Sequence, residues 1–188
     1  MQPTIIEERQ LNATAIDVFS RLMMDRIIFL GEEISPETAN TIIAQLLYLD
    51  QQSDKEITIY INSPGGDINS GLAIYDTIQF VKAPIKTVCV GEAASMASII
   101  LVAGDTRCAL PHSRVLIHQP RGFISGQARD IIANADEFRK DYEITAGILA
   151  KHTCQSYDQV YKDMGFDNWM NAEEALAYGI IDKVVTNE

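Results

Sequence analysis

Cysteine is scarce in this chain, and what is missing narrows its class before any motif is read. Cys89, Cys108 and Cys154 are odd in number and lack metal-ligand spacing, which excludes a disulfide framework and suits a reducing compartment. Lys and Arg total 15 against 26 Asp and Glu, a net charge of −11 with no basic cluster, so neither nucleic acid nor an anionic membrane surface is an expected partner. The longest uncharged apolar stretch, Ala93 to Gly104, is too short to span a bilayer. Met1 to Glu8 shows no basic region followed by an apolar core, so no secretory signal is expected and a cytoplasmic setting is the simplest expectation. Internal repeats, low-complexity tracts and linkers are absent. A single domain spanning 1–188 is therefore predicted, large enough for a sizeable core. Hydrophobic residues make up 47% of the chain, which suits a compact protein that also buries surface in an oligomer.

What is present alternates helix and strand signals. Ile16, Phe19 and Met23 share one face of a predicted helix, and Arg26–Leu30 reads as a buried strand. Ser35-Pro36 opens a helix through Leu49, with a capping serine and a proline in the first turn. Ile57–Ile61 is strand-like and leads through Gly65-Gly66 to a helix carrying Leu72, Ile74, Tyr75, Ile78 and Phe80. Further strands are predicted at Ile85–Val90, near Arg107–Leu110, at Arg114–Ile117 and at Ile180–Val185. A long charged helix is expected from about 127 to 151, followed by capping boxes at Ser156–Gln159 and Asn171–Glu174. The order predicts one α/β domain of repeated β-β-α character.

Three short segments carry chemistry. Ser95 lies between the strand Ile85–Val90 and the apolar run Ile99–Ala103, at a strand-to-helix junction where unpaired backbone N–H groups gather. Ala93 and Ala94 leave room for a substrate there. His118 ends the strand Arg114–Ile117 and precedes Gln119-Pro120, which stops the strand and leaves the imidazole at its tip. Ser63-Pro64-Gly65-Gly66 follows another strand, and its glycines permit the close backbone approach that an oxyanion donor loop needs. Taken singly, each has an ordinary structural reading: a helix-packing serine, a satisfied core histidine, a strand-to-helix turn.

Together, and in this order, Ile61–Gly66, Gly91–Met96 and Arg114–Pro120 resemble the ClpP family, the proteolytic subunit of Clp protease. The resemblance runs from about Ile6 to Val185. It implies the crotonase-like (ClpP) fold with a protruding handle helix, an N-terminal axial segment over 1–18 and a handle region over about 121–151. It places the nucleophile at Ser95, the general base at His118 and the orienting aspartate at Asp167, a Ser-His-Asp arrangement with the roles of any such triad. Spacing alone does not select Asp167. The implied oxyanion donors are the N–H groups of Gly66 and Met96, and substrate is implied to add as a β-strand between Ile68 and the loop after Pro120. Tyr60 and Phe80 fall in the outer cleft where an unfoldase docks, with Cys108 where a larger apolar residue is common.

The implied activity is that of a serine endopeptidase that cuts unfolded polypeptide into short peptides inside two stacked seven-membered rings. A hexameric Clp ATPase does the unfolding. This chain needs no cofactor and lacks the Gly-Lys-Ser/Thr phosphate loop of such a motor. Several positions depart from the family pattern. Glu92 replaces a glutamine and, if near His118, would raise its pKa; Ala97 replaces a glycine; and the turn at Asp105–Arg107 is two residues shorter than is common. Gly165-Phe166 stands where a charged pair is usual, which points to apolar ring–ring contact or to a second, paralogous ring. Leu11–Thr14 replaces a charged stretch of the axial loop. Two other classes remain in view: a structural or regulatory subunit of a mixed ring, disfavoured by the intact triad, and an acyl-CoA enzyme on the same scaffold, for which no CoA-binding feature is visible.

Overall fold

The computed structural model describes residues 4–9 and 12–186. It begins with an antiparallel hairpin, β1 (Thr4–Arg9) and β2 (Asn12–Asp17), and a short helix α1 (Val18–Met24) capped by the Asp17 carboxylate. Ile16 thus lies in β2, not on the helix with Phe19 and Met23, because the Asp17 cap starts the helix after it. There follow β3 (Ile27–Leu30), α2 (Pro36–Gln52), β4 (Ile57–Ser63), α3 (Ile68–Phe80), β5 (Ile85–Ala94), α4 (Met96–Val102), β6 (Thr106–Ala109) and β7 (Arg114–Ile117). The chain closes with α5 (Ala128–His152), α6 (Tyr157–Asp163), β8 (Asn168–Asn171), α7 (Ala172–Tyr178) and β9 (Lys183–Val184). The α/β class is what is found, with the β-β-α order at β1–β2–α1 and β6–β7–α5.

The main sheet runs β3-β4-β5-β6-β9, all parallel, and forks at β5. Lys86–Cys89 of β5 pairs with β6, whereas Glu92–Ala94 pairs with β7, which in turn pairs antiparallel with β8. Gly91, at φ 150°, sits at the fork, and a Cβ there would lie 2.3 Å from the Asn62 Oδ1. Asn62 marks the register shift of β4, and its Oδ1 accepts from the Glu92 N–H. Along β4, buried residues (Ile57, Ile59, Ile61, Ser63) alternate with more open ones, as in a strand with one face on the core, whereas β5 carries an unbroken buried run, Thr87–Cys89, as a strand covered on both faces does. All of α4 is buried in the core between sheet and helices.

Some predicted details shift. Thr106 and Arg107 belong to β6, not to a turn, and the last strand shrinks to Lys183–Val184. Asn171–Glu174 forms a full capping box, but at Ser156 only the serine half is made, since the Gln159 side chain turns to Asp163. The long helix α5 buries only Thr145, Ala146 and Leu149, all in its second half; the first half projects from the body as a handle. The preceding loop, 121–127, contains no strand.

Arg26 is one of two non-glycine residues at positive φ (62°) among the described residues, and its guanidinium explains why that conformation is kept. It donates to the carbonyls of Leu49, Ser53, Lys55 and Glu56, closing the end of α2 and the turn into β4. Arg26→Ala leaves these carbonyls without their charged donor, and a stability loss of about 1–3 kcal/mol is expected. Thermal unfolding of the variant checks it; an unchanged midpoint would show that the clamp contributes nothing.

Candidate active site

Ser95 stands between β5 and α4 at φ 55° and ψ −124°, outside the backbone regions a serine prefers. Three hydrogen bonds fix it there. Its N–H donates to the Leu116 carbonyl on β7, and its own carbonyl accepts from both the N–H and the hydroxyl of Ser98. The turn is a strand-to-helix elbow of the type that lifts a nucleophile's side chain out of the sheet. Because the corner is tied to β7, the strand that carries His118 at its tip, serine and histidine come from adjacent strands of one ladder.

The glycine loop packs directly against this corner. A Cβ on Gly65 (φ 90°) would lie 2.6 Å from the Ala94 carbonyl, 2.8 Å from the Ser95 Cβ and 2.9 Å from the Met96 nitrogen. Only glycine fits. The glycine pair in the sequence signals this close approach, but pattern does not separate the packing role of Gly65 from the donor role of Gly66. The loop is held by Ser63, a buried hydroxyl that donates to the Glu32 carbonyl and accepts from the Gly65 N–H. On its other side, Ile34 donates to the Gly65 carbonyl and accepts from the Asp67 N–H. That bridge leaves the Gly66 N–H unused, and the Met96 N–H, at the first position of α4, has no intrahelical acceptor. Among the described residues both N–H groups are without an acceptor, and both residues line the same cleft as Ser95.

That cleft, of about 340 Å³, also takes in His118, Ile68, Pro120 and Arg121, with Met96, Ile99 and Leu149 forming apolar wall. The structure therefore brings Ser95, His118, Gly66, Met96, Ile68 and Pro120 together. Asp167 lies in an adjoining hollow that shares His118, Pro120 and Arg121 with the cleft. Its Oδ1 is 3.6 Å from the His118 Nδ1, too long for a hydrogen bond, and the Arg121 Nη2 contacts the same Oδ1. Among the described residues the buried His118 Nδ1 has no hydrogen-bond partner. Burial holds the His118 pKa below the ordinary imidazole value of 6.5; the Arg121 charge pushes the same way, and Asp167 opposes without cancelling. Glu92 is not among the charges acting on His118. It is half-buried, paired in register with Arg114, and its charge is felt at Cys89 instead.

Tyr60 and Phe80 lie away from this cleft. Tyr60 is half-buried on β4, in a cross-strand row with Phe29, Val88 and Cys108, and Phe80 ends α3 with 77% of its surface exposed. Cys108, opposite Val88 in β6, is fully buried, and burial pushes its thiol pKa up. Phe166, beside Asp167, is 87% exposed. Among the described residues no group of three or more His, Cys, Asp or Glu could hold a metal ion, and no helix is long and apolar enough to cross a membrane.

Comparison with known proteins agrees with this geometry. The profile of the family described as Clp protease matches residues 9–188. An ATP-dependent Clp protease proteolytic subunit of Bacteroides fragilis is 56% identical, over 98% of this chain and 91% of the relative. Proteins of the same description from Bacteroides thetaiotaomicron and Porphyromonas gingivalis are 55% and 54% identical, each over 98% of this chain and over 86% and 85% of the relative. With the profile covering nearly every residue and an identity above one half, the chain belongs to the Clp protease family.

Proposed function

We propose that Ser95, His118 and Asp167 are the catalytic residues of the serine endopeptidase that family membership makes this chain, with the N–H groups of Gly66 and Met96 as its oxyanion donors. The observation that carries the reading is the Ser95 corner: a strained serine at φ 55°, packed against Gly65 and flanked by two N–H groups that have no acceptor among the described residues. His118 takes the Ser95 hydroxyl proton as the oxygen attacks a peptide carbonyl. The negative charge that develops on the carbonyl oxygen is met by the two N–H groups. The imidazolium then gives its proton to the departing amine, and water repeats the sequence on the acyl-enzyme. Asp167 favours the imidazolium and fixes the ring's tautomer.

The substrate is an unfolded polypeptide, added as a strand between Ile68 and the loop after Pro120, so that main-chain pairing gives binding with little sequence preference. The assembly is two stacked rings of seven, working with a hexameric Clp ATPase that spends ATP on unfolding; Tyr60 and Phe80 are its docking residues. A second, paralogous ring is an alternative to a homomeric pair. The chain itself uses no cofactor and acts in the cytoplasm.

Ser95→Ala should lower cleavage of a short fluorogenic peptide by about three orders of magnitude or more while leaving the mass of the assembly unchanged. Undiminished cleavage overturns the assignment. A fluorophosphonate should label the native protein at Ser95 and leave the variant unlabelled. The pH dependence has a definite sign. His118 must be neutral to accept a proton, and its pKa is held below 6.5, so the acidic limb of kcat/KM should fall below that value and activity persist into mildly acidic solution. A limb above it would show that burial and the Arg121 charge do not outweigh Asp167 at His118 in the working enzyme.

A further inference from the structure

We propose that Arg121 is a positioning residue: it holds Asp167 away from His118 and must let go before the histidine gains its orienting carboxylate. The proposal rests on the triad reading above and adds a member that acts against it. A single oxygen is contested. Arg121 Nη2 contacts the Asp167 Oδ1, while the His118 Nδ1 stands 3.6 Å from that same atom and, though buried, has no partner among the described residues. A guanidinium outcompetes a neutral imidazole for a carboxylate, because its hydrogen bond is charge-assisted. The balance tips toward His118 only when the ring becomes an imidazolium or when Arg121 is drawn away.

The local main chain allows Arg121 to be drawn away. Gln119 anchors the loop through both main chain and side chain, its N–H donating to the Met164 carbonyl and its Nε2 to the Gly165 carbonyl. Beyond it, among the described residues, no backbone–backbone hydrogen bond engages 120–126. What holds the segment is the Arg121 contact and the packing of Gly122 against the Phe138 ring of the handle helix, where a Cβ would lie 2.1 Å from Cζ. Arg121 lines the Ser95 cleft as well as the Asp167 hollow, and its side chain is 66% exposed. An extended chain pairing along 120–126 therefore competes for the same stretch that positions Arg121, so that occupancy of the cleft and release of Asp167 are coupled. The charged groups around His118 are Arg121 on its own loop, Asp167 before β8, and Glu33 across the cleft.

The experiment uses the full chain in its assembled form, with Arg121→Gln, Arg121→Lys and each combined with Asp167→Asn. Arg121→Gln should raise the acidic limb of kcat/KM by about half to one pH unit, since a like charge is removed and Asp167 is freed to favour the imidazolium. At a pH above that limb, Ser95 should be labelled by a fluorophosphonate about 3- to 10-fold faster. Arg121→Lys, which keeps the charge without the planar fork, should lie between Gln and native in both readouts. In the Asp167→Asn background the labelling gain should vanish. An unmoved limb with unchanged or slower labelling, or a gain that survives Asp167→Asn, overturns the proposal. A Ser95→Ala protein that still cleaves peptide defeats the triad reading itself; a dead Ser95→Ala protein beside an Arg121→Gln protein that behaves as native defeats only the latch.

Discussion

The hydrogen bond from the Ser95 N–H to the Leu116 carbonyl is the constraint on which the site depends. It continues the parallel pairing of β5 with β7, Ala94 opposite Leu116, one residue past the end of the strand. With the two bonds from Ser98, it holds the serine at φ 55°, a conformation that costs on the order of 1–3 kcal/mol for a residue bearing a Cβ. The same ladder sets where β7 ends, and two residues after Leu116 comes His118. One pairing thus fixes the backbone of Ser95 and the height at which His118 emerges. The Ser98 hydroxyl closes the corner from the helix side by donating to the Ser95 carbonyl.

The second requirement is a pair of N–H groups that water or backbone would normally satisfy. The sheet supplies them by failing to continue. The β4–β5 register shifts at Asn62, β5 forks at Gly91, and the chain after Ser63 leaves the ladder as a loop bridged to Ile34 through Gly65 and Asp67. Gly66, between these two, keeps its N–H unused. The backbone irregularities cluster where β4 and β5 end, next to the cleft, and the rest of the main parallel ladder stays regular. Concentrating them there lets a rigid core hold a strained site.

Much of this was legible in the sequence. Strands of isoleucine bounded by glycine and proline, a Ser-Pro helix start and the Asn171 capping box all became the elements they suggested, because local preference and burial agree at each. Ser95, His118 and the glycine pair could be placed at strand ends from pattern alone. Three things could not. Ile16 looked helical by spacing, yet pairing with β1 and the Asp17 cap decided otherwise. The charge that acts on His118 comes from Arg121 in the adjacent loop, not from Glu92, because the outcome turns on which way a long side chain points and spacing carries no such information. Asp167 was reachable only through resemblance, since one carboxylate among 26 acidic residues bears no local mark of its role.

The handle helix bears on why such a chain should assemble. Over its first half α5 buries nothing, and Ile131 and Ile132 are exposed at 41% and 64%, with Phe123 at 91% just before it. Ion pairs such as Lys140–Glu137 and Arg139–Asp136 lie on its surface and contribute little each. A projecting helix of this kind gains its stability from packing, and within one chain it has little to pack against. A net charge of −11 opposes bringing copies together, so contact has to come from apolar groups such as these, and Phe166 beside Asp167 is one of them. It stands next to Asp167, on the same loop that Gln119 ties to Gly165, so an exposed apolar ring directly precedes the residue that contacts Arg121. An open apolar surface and a proposed site residue therefore share one short stretch, from Met164 to Asn168, between the end of α6 and the start of β8.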